Sequence, residues 1–87
     1  MEQKEEMQVG KVTHYFPKIG VAVVEITDGS LKVGDEIRIK GKTTDLRQKI
    51  ISMQVEHDKI EMAEPGISIG MKVSEPVRAN DSVYKNI

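Results

Sequence analysis

The stretch PGISIGMKVS, residues 65–74, gives the clearest indication of the fold. After the Pro65-Gly66 turn, apolar and polar residues alternate without a break to residue 74. Successive side chains of a β-strand point to opposite faces, so this pattern predicts a strand with one buried face and one wet face. The predicted buried face consists of Ile67, Ile69, Met71 and Val73. Ser68 falls on the wet face together with Lys72.

The same stretch spells Gly-x-Ser-x-Gly, the motif that carries the nucleophile of α/β hydrolases. In that fold the serine occupies a sharp turn from strand to helix, and the acid and the histidine follow it along the chain. Here the strand pattern continues through Ser68, and no histidine follows it. The whole chain has 87 residues, whereas such a fold needs on the order of 200. We therefore predict that Ser68 is an ordinary strand residue and that the chain is not an enzyme.

The period-two pattern recurs along the chain, with turn residues between the runs. We expect strands at 8–16, 20–27, 36–40, 46–57, 59–62, 67–74 and 82–85. No window shows the three-and-four spacing of a helix. Short strands at this spacing predict an all-β fold, namely a small closed antiparallel Greek-key barrel of six or seven strands. Closure into a barrel also removes the exposed edges that a flat sheet would have.

The longest predicted strand, 46–57, contains two consecutive isoleucines, Ile50 and Ile51. Leu46 shares the phase of Ile50, whereas Met53 and Val55 share the phase of Ile51. A β-bulge adds one residue to a strand and so reconciles two phases. We expect a bulge here that bends the strand around the barrel.

Composition limits the possible functions. Thirteen basic residues face fourteen acidic ones, the formal net charge is −1, and cysteine is absent. A chain so near neutrality has no general field for polyanions, so a nucleic-acid contact would need a local patch. The N-terminus resembles no signal peptide, and no apolar run is long enough to span a bilayer. We expect a flexible polar tail at 1–7 and one cytoplasmic, monomeric domain at 8–87 that makes no membrane contact.

Two further patterns predict no ligand site. The Gly-Lys-Thr at 41–43 resembles the end of a P-loop, but that motif needs a glycine five positions earlier, where this chain has Glu36. His14 and His57 lack the close spacing of a metal-binding pair. We therefore predict no metal and no cofactor.

Basic residues concentrate in one predicted hairpin. Between residues 38 and 49 there are five bases and one acid, Asp45, whereas 56–64 holds four acids and one base. The five bases are Arg38, Lys40, Lys42, Arg47 and Lys49. Those on the strands alternate with apolar residues and should point outward together, where they could contact phosphates. Lys11 and Tyr15 form another outward row in which Tyr15 offers a stacking surface. The alternative is a solvated face that keeps the strands soluble.

Three segments of the chain resemble domain two of translational GTPases such as elongation factor Tu and initiation factor two. They are GSLKVGDEIRIKG (29–41), QKIISMQVEHDKIEMAEPGISIGMKV (48–73) and VRANDSVYK (77–85). The stretches VGKVTHYFPKIGVAVVEI (9–26) and KGKTTDLRQKIISMQVEH (40–57) are more similar still to two other groups. One is the stand-alone translation-elongation-factor-like proteins, and the other is the C-terminal barrel of collagenase-like peptidases.

The resemblance implies a barrel of the translation-factor domain-two type without GTPase activity, because those proteins carry their P-loop in a separate domain. Our main hypothesis is a non-enzymatic module that binds tRNA or ribosomal RNA through the five bases of the hairpin, with Lys11 and Tyr15 as outer contacts. The alternative is a protein-interaction module that acts beside a separately encoded peptidase-like or RNA-modifying enzyme. Its contact would be the acidic stretch 56–64 or an exposed apolar patch.

Overall fold

The computed structural model describes residues 6–56 and 58–86, and within these ranges it contains ten β-strands and no helix. The strands are β1 (Glu6–Phe16), β2 (Val21–Ile26), β3 (Leu31–Lys32), β4 (Glu36–Lys40), β5 (Asp45–Lys49), β6 (Met53–Val55), β7 (Asp58–Ile60), β8 (Met62–Ala63), β9 (Ser68–Lys72) and β10 (Ser82–Asn86). β1 starts two residues before the predicted position. Residues 1–5 of the predicted tail, and also His57, lie outside the described residues.

Eight strands form one sheet in the order β5-β4-β10-β1-β2-β9-β6-β7, and β3 pairs with β8. Every one of these pairs is antiparallel. The last strand lies between β4 and β1, and β9 lies between β2 and β6, so sheet neighbours are often distant in sequence. The prediction of an all-β, antiparallel, barrel-like domain is confirmed. The strands outnumber the six or seven predicted because four of them are only two or three residues long.

The side chain of Gln48 connects β5 to the end of β9, a strand that is not its neighbour in the sheet order. Its amide nitrogen donates a hydrogen bond to the carbonyl oxygen of Lys72 at 2.9 Å. Its amide oxygen accepts a hydrogen bond from the backbone N–H of Ser74 at 2.8 Å. Lys72 is the last residue of β9, so these two bonds join β5 to β9. The strands β5, β4, β10, β1, β2 and β9 thus form a ring of six that one side chain completes.

A single apolar core fills this ring, and its members come from every part of the chain. Buried members include Val12 on β1, Val24 on β2, Ile39 on β4 and Val83 on β10. In the stretch 65–74, Ile69, Met71 and Val73 are buried as predicted, whereas Ile67 precedes β9 and is 37% exposed. Ser68 is the first residue of β9, it is exposed, and no helix follows it in the part of the chain that is described.

The predicted long strand 46–57 is two strands, β5 and β6, that have different partners. The backbone N–H of Ile50 donates to the carbonyl of Asp35, and the carbonyl of Ile50 accepts from the N–H of Gly34, both at 2.9 Å. Ile50 therefore extends the pairing of β5 with β4 and is buried. Beyond it the chain leaves β4 and pairs with β9 through β6. Ile51 lies in the break and is 67% exposed, so the expected bulge does not turn it inward.

No helix among the described residues is long and apolar enough to cross a membrane.

Candidate functional site

The basic hairpin (Arg38, Lys40, Lys42, Arg47 and Lys49) is formed by β4, β5 and the turn between them. Cross-strand register places Arg38 opposite Arg47 and Lys40 opposite Asp45. Because the intervening apolar residues of both strands are buried, the four cations on the strands point outward, and Lys42 is exposed in the turn. The structure therefore brings these five residues together on one face.

Arg38 is occupied by acids of its own chain. Its Nε and Nη2 donate to the two carboxylate oxygens of Asp45, both at 2.9 Å, and Nη1 lies 3.5 Å from Oε1 of Glu6. The hydrogen bond to Asp45 raises the pKa of Arg38 above its ordinary value, and the same bond lowers the pKa of Asp45. A bidentate arginine–carboxylate pair fixes both side chains. The hairpin thus uses its central cation internally.

Lys11 and Tyr15, the two outer candidates, have different surroundings. Lys11 pairs across the sheet with Ser82, which in turn pairs with Lys40, so Lys11 lies about 10 Å from the hairpin in the same row. Tyr15 is half-buried and packs against the core. A register shift between Val12 and His14 reverses the phase of the second half of β1. Tyr15 is therefore not part of the outward row that the sequence pattern predicted.

A second surface feature, which includes part of the acidic stretch 56–64 named in the alternative hypothesis, is a groove with a volume of about 740 Å³ that we call the apolar groove. It is lined by residues 32–33, 51–53 and 59–62. The groove forms where the segment 58–63 changes its partner from one strand to another. β7 pairs with β6, β8 pairs with β3, and the N–H of Val33 donates to the carbonyl of Glu61 at 2.9 Å between them. The groove therefore lies where this segment passes from β6 to β3.

Exposed apolar side chains surround the groove. Val33 is 42% exposed, Ile51 67% and Met62 57%, and each comes from a different segment. Met53 and Ile60 contribute more deeply buried apolar surface. Single exposed apolar residues are common on monomers, but a cluster with a polar rim is typical of an interaction surface.

The polar residues that line the groove are Lys32, Lys59, Glu61 and Ser52. None of the three charged side chains forms an ion pair within residues 6–56 and 58–86. A second, smaller cleft of about 170 Å³ adjoins the groove and shares Ser52, Met53 and Lys59 with it. Its outer end is lined by Lys72, whose Nζ donates to the carbonyl of Ile19 at 2.7 Å. The groove and this cleft share these residues and so form one continuous depression.

One signal in the sequence could have revealed the groove. Two consecutive residues of a strand point to opposite faces, so Ile50 and Ile51 cannot both be buried in a regular strand. Reading Ile51 as exposed, rather than as evidence of a bulge, would have indicated an apolar side chain on the surface. Val33 and Met62 gave no comparable signal, because their neighbours depend on strand pairing.

Comparison of this chain with known proteins finds peptidases rather than the translation factors that the main hypothesis expected. No protein-family model matches it. Over 80 residues it is 38% identical to an uncharacterized protease of Methanocaldococcus jannaschii, and this match covers 91% of this chain and 19% of the relative. Over 83 residues it is 40% identical to a collagenase of Porphyromonas gingivalis, and this match covers 94% of this chain and 20% of the collagenase.

The structural comparison agrees with these relatives. The fold is similar to the crystallised C-terminal domain of a Geobacillus thermoleovorans protein that is assigned by name to the U32 peptidases. The TM-score is 0.83, the identity is 25%, and the match covers 90% of both chains. This chain is therefore similar to that C-terminal domain over nearly its whole length. It spans only about a fifth of the length of the curated relatives it matches.

These relatives correct the main functional hypothesis. The proteins found are named as a protease, collagenases and a peptidase, so the prediction of an RNA-binding, translation-factor-like module is wrong. The likeness to domain two of the translational GTPases receives no support. The likeness to the C-terminal barrel of collagenase-like peptidases is confirmed. The alternative hypothesis, a protein-interaction module beside a peptidase-like enzyme, fits the relatives better.

Proposed function

We propose that this chain is a non-catalytic β-barrel module that binds protein and works together with a peptidase-like catalytic region. The observation that carries the proposal is the match to a structure crystallised as a C-terminal domain, over 90% of both chains. The curated relatives contain about four fifths of their length outside the matched part. A barrel that recurs as a small part of longer peptidase-like proteins fits an accessory role.

The surroundings of Ser68 support a non-catalytic role. A serine nucleophile needs a base within hydrogen-bond reach. Ser68 is exposed on β9 and lies opposite Glu25 of β2 in the sheet register. The ring of His14, the one histidine that the structure describes, contacts the carbonyl of Thr13 at 2.6 Å instead. The Gly-x-Ser-x-Gly spelling is then a consequence of strand alternation between two glycines.

The apolar groove supports binding to protein. Interfaces between proteins combine an apolar centre with a polar rim, and the groove combines Val33, Ile51 and Met62 with two lysines and a glutamate. Exposed apolar side chains do not contribute to the core, so their clustering requires another explanation.

A chimera tests the proposal. The 83 matched residues of the Porphyromonas gingivalis collagenase are deleted in one variant and replaced by this chain in another, and the intact collagenase is the positive control. We expect the deletion to lose collagen cleavage or folding and the chimera to regain both. This chain alone should cleave neither collagen nor casein. Cleavage by the isolated chain that disappears in Ser68→Ala would overturn the non-catalytic role.

Failure of the chimera to regain folding or cleavage would overturn the accessory role. Circular dichroism of the purified chain shows whether the barrel itself is folded. A folded barrel in an inactive chimera then rules out misfolding as the cause.

A further inference from the structure

We infer that the apolar groove and the adjoining cleft bind one extended segment of the peptidase-like region, in which a large apolar side chain stands next to a carboxylate. This inference rests on the proposed function and names the part of the partner that the barrel recognises.

The size and shape of the depression fit an extended segment. The groove volume of about 740 Å³ lies within the range of roughly 300–1,000 Å³ that is usual for binding sites. The smaller cleft continues it past Lys59 along β6 toward β9. Gly70 helps to keep this continuation open, because a Cβ there would lie 3.3 Å from Cγ of Gln54 and 3.4 Å from Cγ1 of Val21. A lining that runs from β3 past β7 and β6 to β9 suits an extended chain better than a compact ligand.

The apolar part of the segment belongs in the groove itself. Ile51 and Met62 are more than half exposed, and Val33 nearly so. A large apolar side chain placed among them would remove apolar surface from water on both partners, which favours binding. Such a buried anchor is the usual centre of an interface.

The charges of the depression favour an acidic segment. Three lysines line it, Lys32 from β3, Lys59 from β7 and Lys72 from β9, against one acid, Glu61. Lys32 and Lys59 have no ion pair among the described residues, and Lys72 bonds a neutral carbonyl. A carboxylate beside the apolar anchor would therefore meet positive charge. Three acids are exposed outside the lining, namely Glu56, Asp58 and Glu64. They would repel a carboxylate near them, so the most favourable position for it is between the lysines.

Photo-crosslinking in the collagenase chimera tests the inference. A benzophenone amino acid replaces Ile51, and after irradiation the crosslinked peptide is identified by mass spectrometry. We expect one peptide from the collagenase region that contains an aspartate or glutamate next to a large apolar residue. The matched control places the same group at Lys49, two residues earlier on the basic hairpin, and should crosslink weakly.

Charge variants then test the role of the lysines. In the benzophenone chimera, Lys59→Glu should lower the crosslink yield about tenfold, because it replaces attraction by repulsion at an exposed site without affecting the core. Lys59→Gln should lower it less, and Lys49→Glu should leave it unchanged. Thermal unfolding followed by circular dichroism confirms that each variant is folded.

Four results would overturn the inference. Three of them are a crosslinked peptide whose flanking charges are basic, a crosslink to a second copy of the barrel, and equal yields with Lys59→Glu and Lys49→Glu. Absence of a crosslink from position 51 in a chimera that cleaves collagen would also overturn it, but the proposed function would stand. A chimera that neither folds nor cleaves would refute the proposed function as well.

Discussion

The basic hairpin and the apolar groove are two surface features of this barrel that differ in how the chain builds them. The hairpin is one continuous segment, residues 36–49, with five cross-strand residue pairs between β4 and β5. The groove combines three segments, 32–33, 51–53 and 59–62, that strand pairing brings together. A local charge cluster is therefore visible in the sequence, whereas an apolar patch assembled from distant segments is not.

The two features also differ in what their exposed side chains do for the barrel itself. Outward charges on β5, which ends the backbone-paired strand order, disfavour pairing with other chains, and Arg38 is already held by Asp45 and Glu6. These charges of the hairpin thus have a structural role. The exposed side chains of Ile51 and Met62 have no comparable structural role in the barrel. A charge cluster with a structural role is therefore weaker evidence of function than an exposed apolar cluster without one.

The same substitution made in both regions gives the most direct test of this difference. Ile39 lies in the core beneath the hairpin and is fully buried, whereas Ile51 borders the groove. Ile39→Ala should lower the free energy of unfolding by about 2–5 kcal/mol through lost burial and a cavity. Ile51→Ala should change it by less than about 0.5 kcal/mol, as is usual for exposed positions. Urea denaturation measures both, and a loss above about 1 kcal/mol at Ile51 would show that the groove is part of the core.

A second prediction concerns how firmly the hairpin end is attached. A Cβ on Gly41 would collide with the carboxylate of Asp81, which is buried and accepts a hydrogen bond from the N–H of Arg78 at 2.8 Å. Gly41→Ala should therefore lower the free energy of unfolding by about 1–3 kcal/mol, because the carboxylate must move. Lys42→Ala, the neighbouring control, should be nearly neutral. Equal stability of the two variants in urea would contradict the close contact.

A third prediction compares two glutamines. Gln48 joins β5 to β9 through two hydrogen bonds, whereas Gln54 lines the cleft beside the groove and makes no side-chain hydrogen bond among the described residues. Gln48→Ala should lower the free energy of unfolding by about 1–2 kcal/mol, and Gln54→Ala by less than about 0.5 kcal/mol. Hydrogen exchange of the Ser74 amide should accelerate only in the Gln48 variant. Unchanged protection there would show that Gln48 does not close the ring.

The smallest expected effect is the pH dependence of the Arg38–Asp45 pair. The pKa of Asp45 is lower in the folded chain than its ordinary value of 3.8. The pair therefore contributes stability that is present above about pH 4 and is lost as the pH falls through the folded pKa. Asp45→Asn removes this contribution, so the difference in Tm between wild type and variant should shrink from pH 7 to below about pH 3. A difference that grows on acidification would contradict the sign.

The parts of the fold that sequence analysis predicted are those governed by local alternation. The strands around Val24, Ile39 and Ile69 follow from period-two patterns, because a regular strand buries every second side chain. The predictions for Tyr15 and Ile51 were wrong for a common reason. Each lies beside an irregularity, a register shift in β1 or the change of partner after β5, which reverses the phase of the pattern. Such an irregularity depends on the path of a neighbouring strand. The local alternation of residue types carries no information about that path.

Local sequence is enough to specify an all-β, barrel-like domain with a basic hairpin on its surface, since both properties depend on residues that are neighbours along the chain. The folded chain adds the pairing of Arg38 with Asp45 and Glu6, the completion of the ring by Gln48, and the groove in which Val33, Ile51 and Met62 meet. The physical reason is that these contacts depend on which strands become neighbours. That choice results from packing the whole chain around one core, and it leaves exposed whatever the last pairings do not cover.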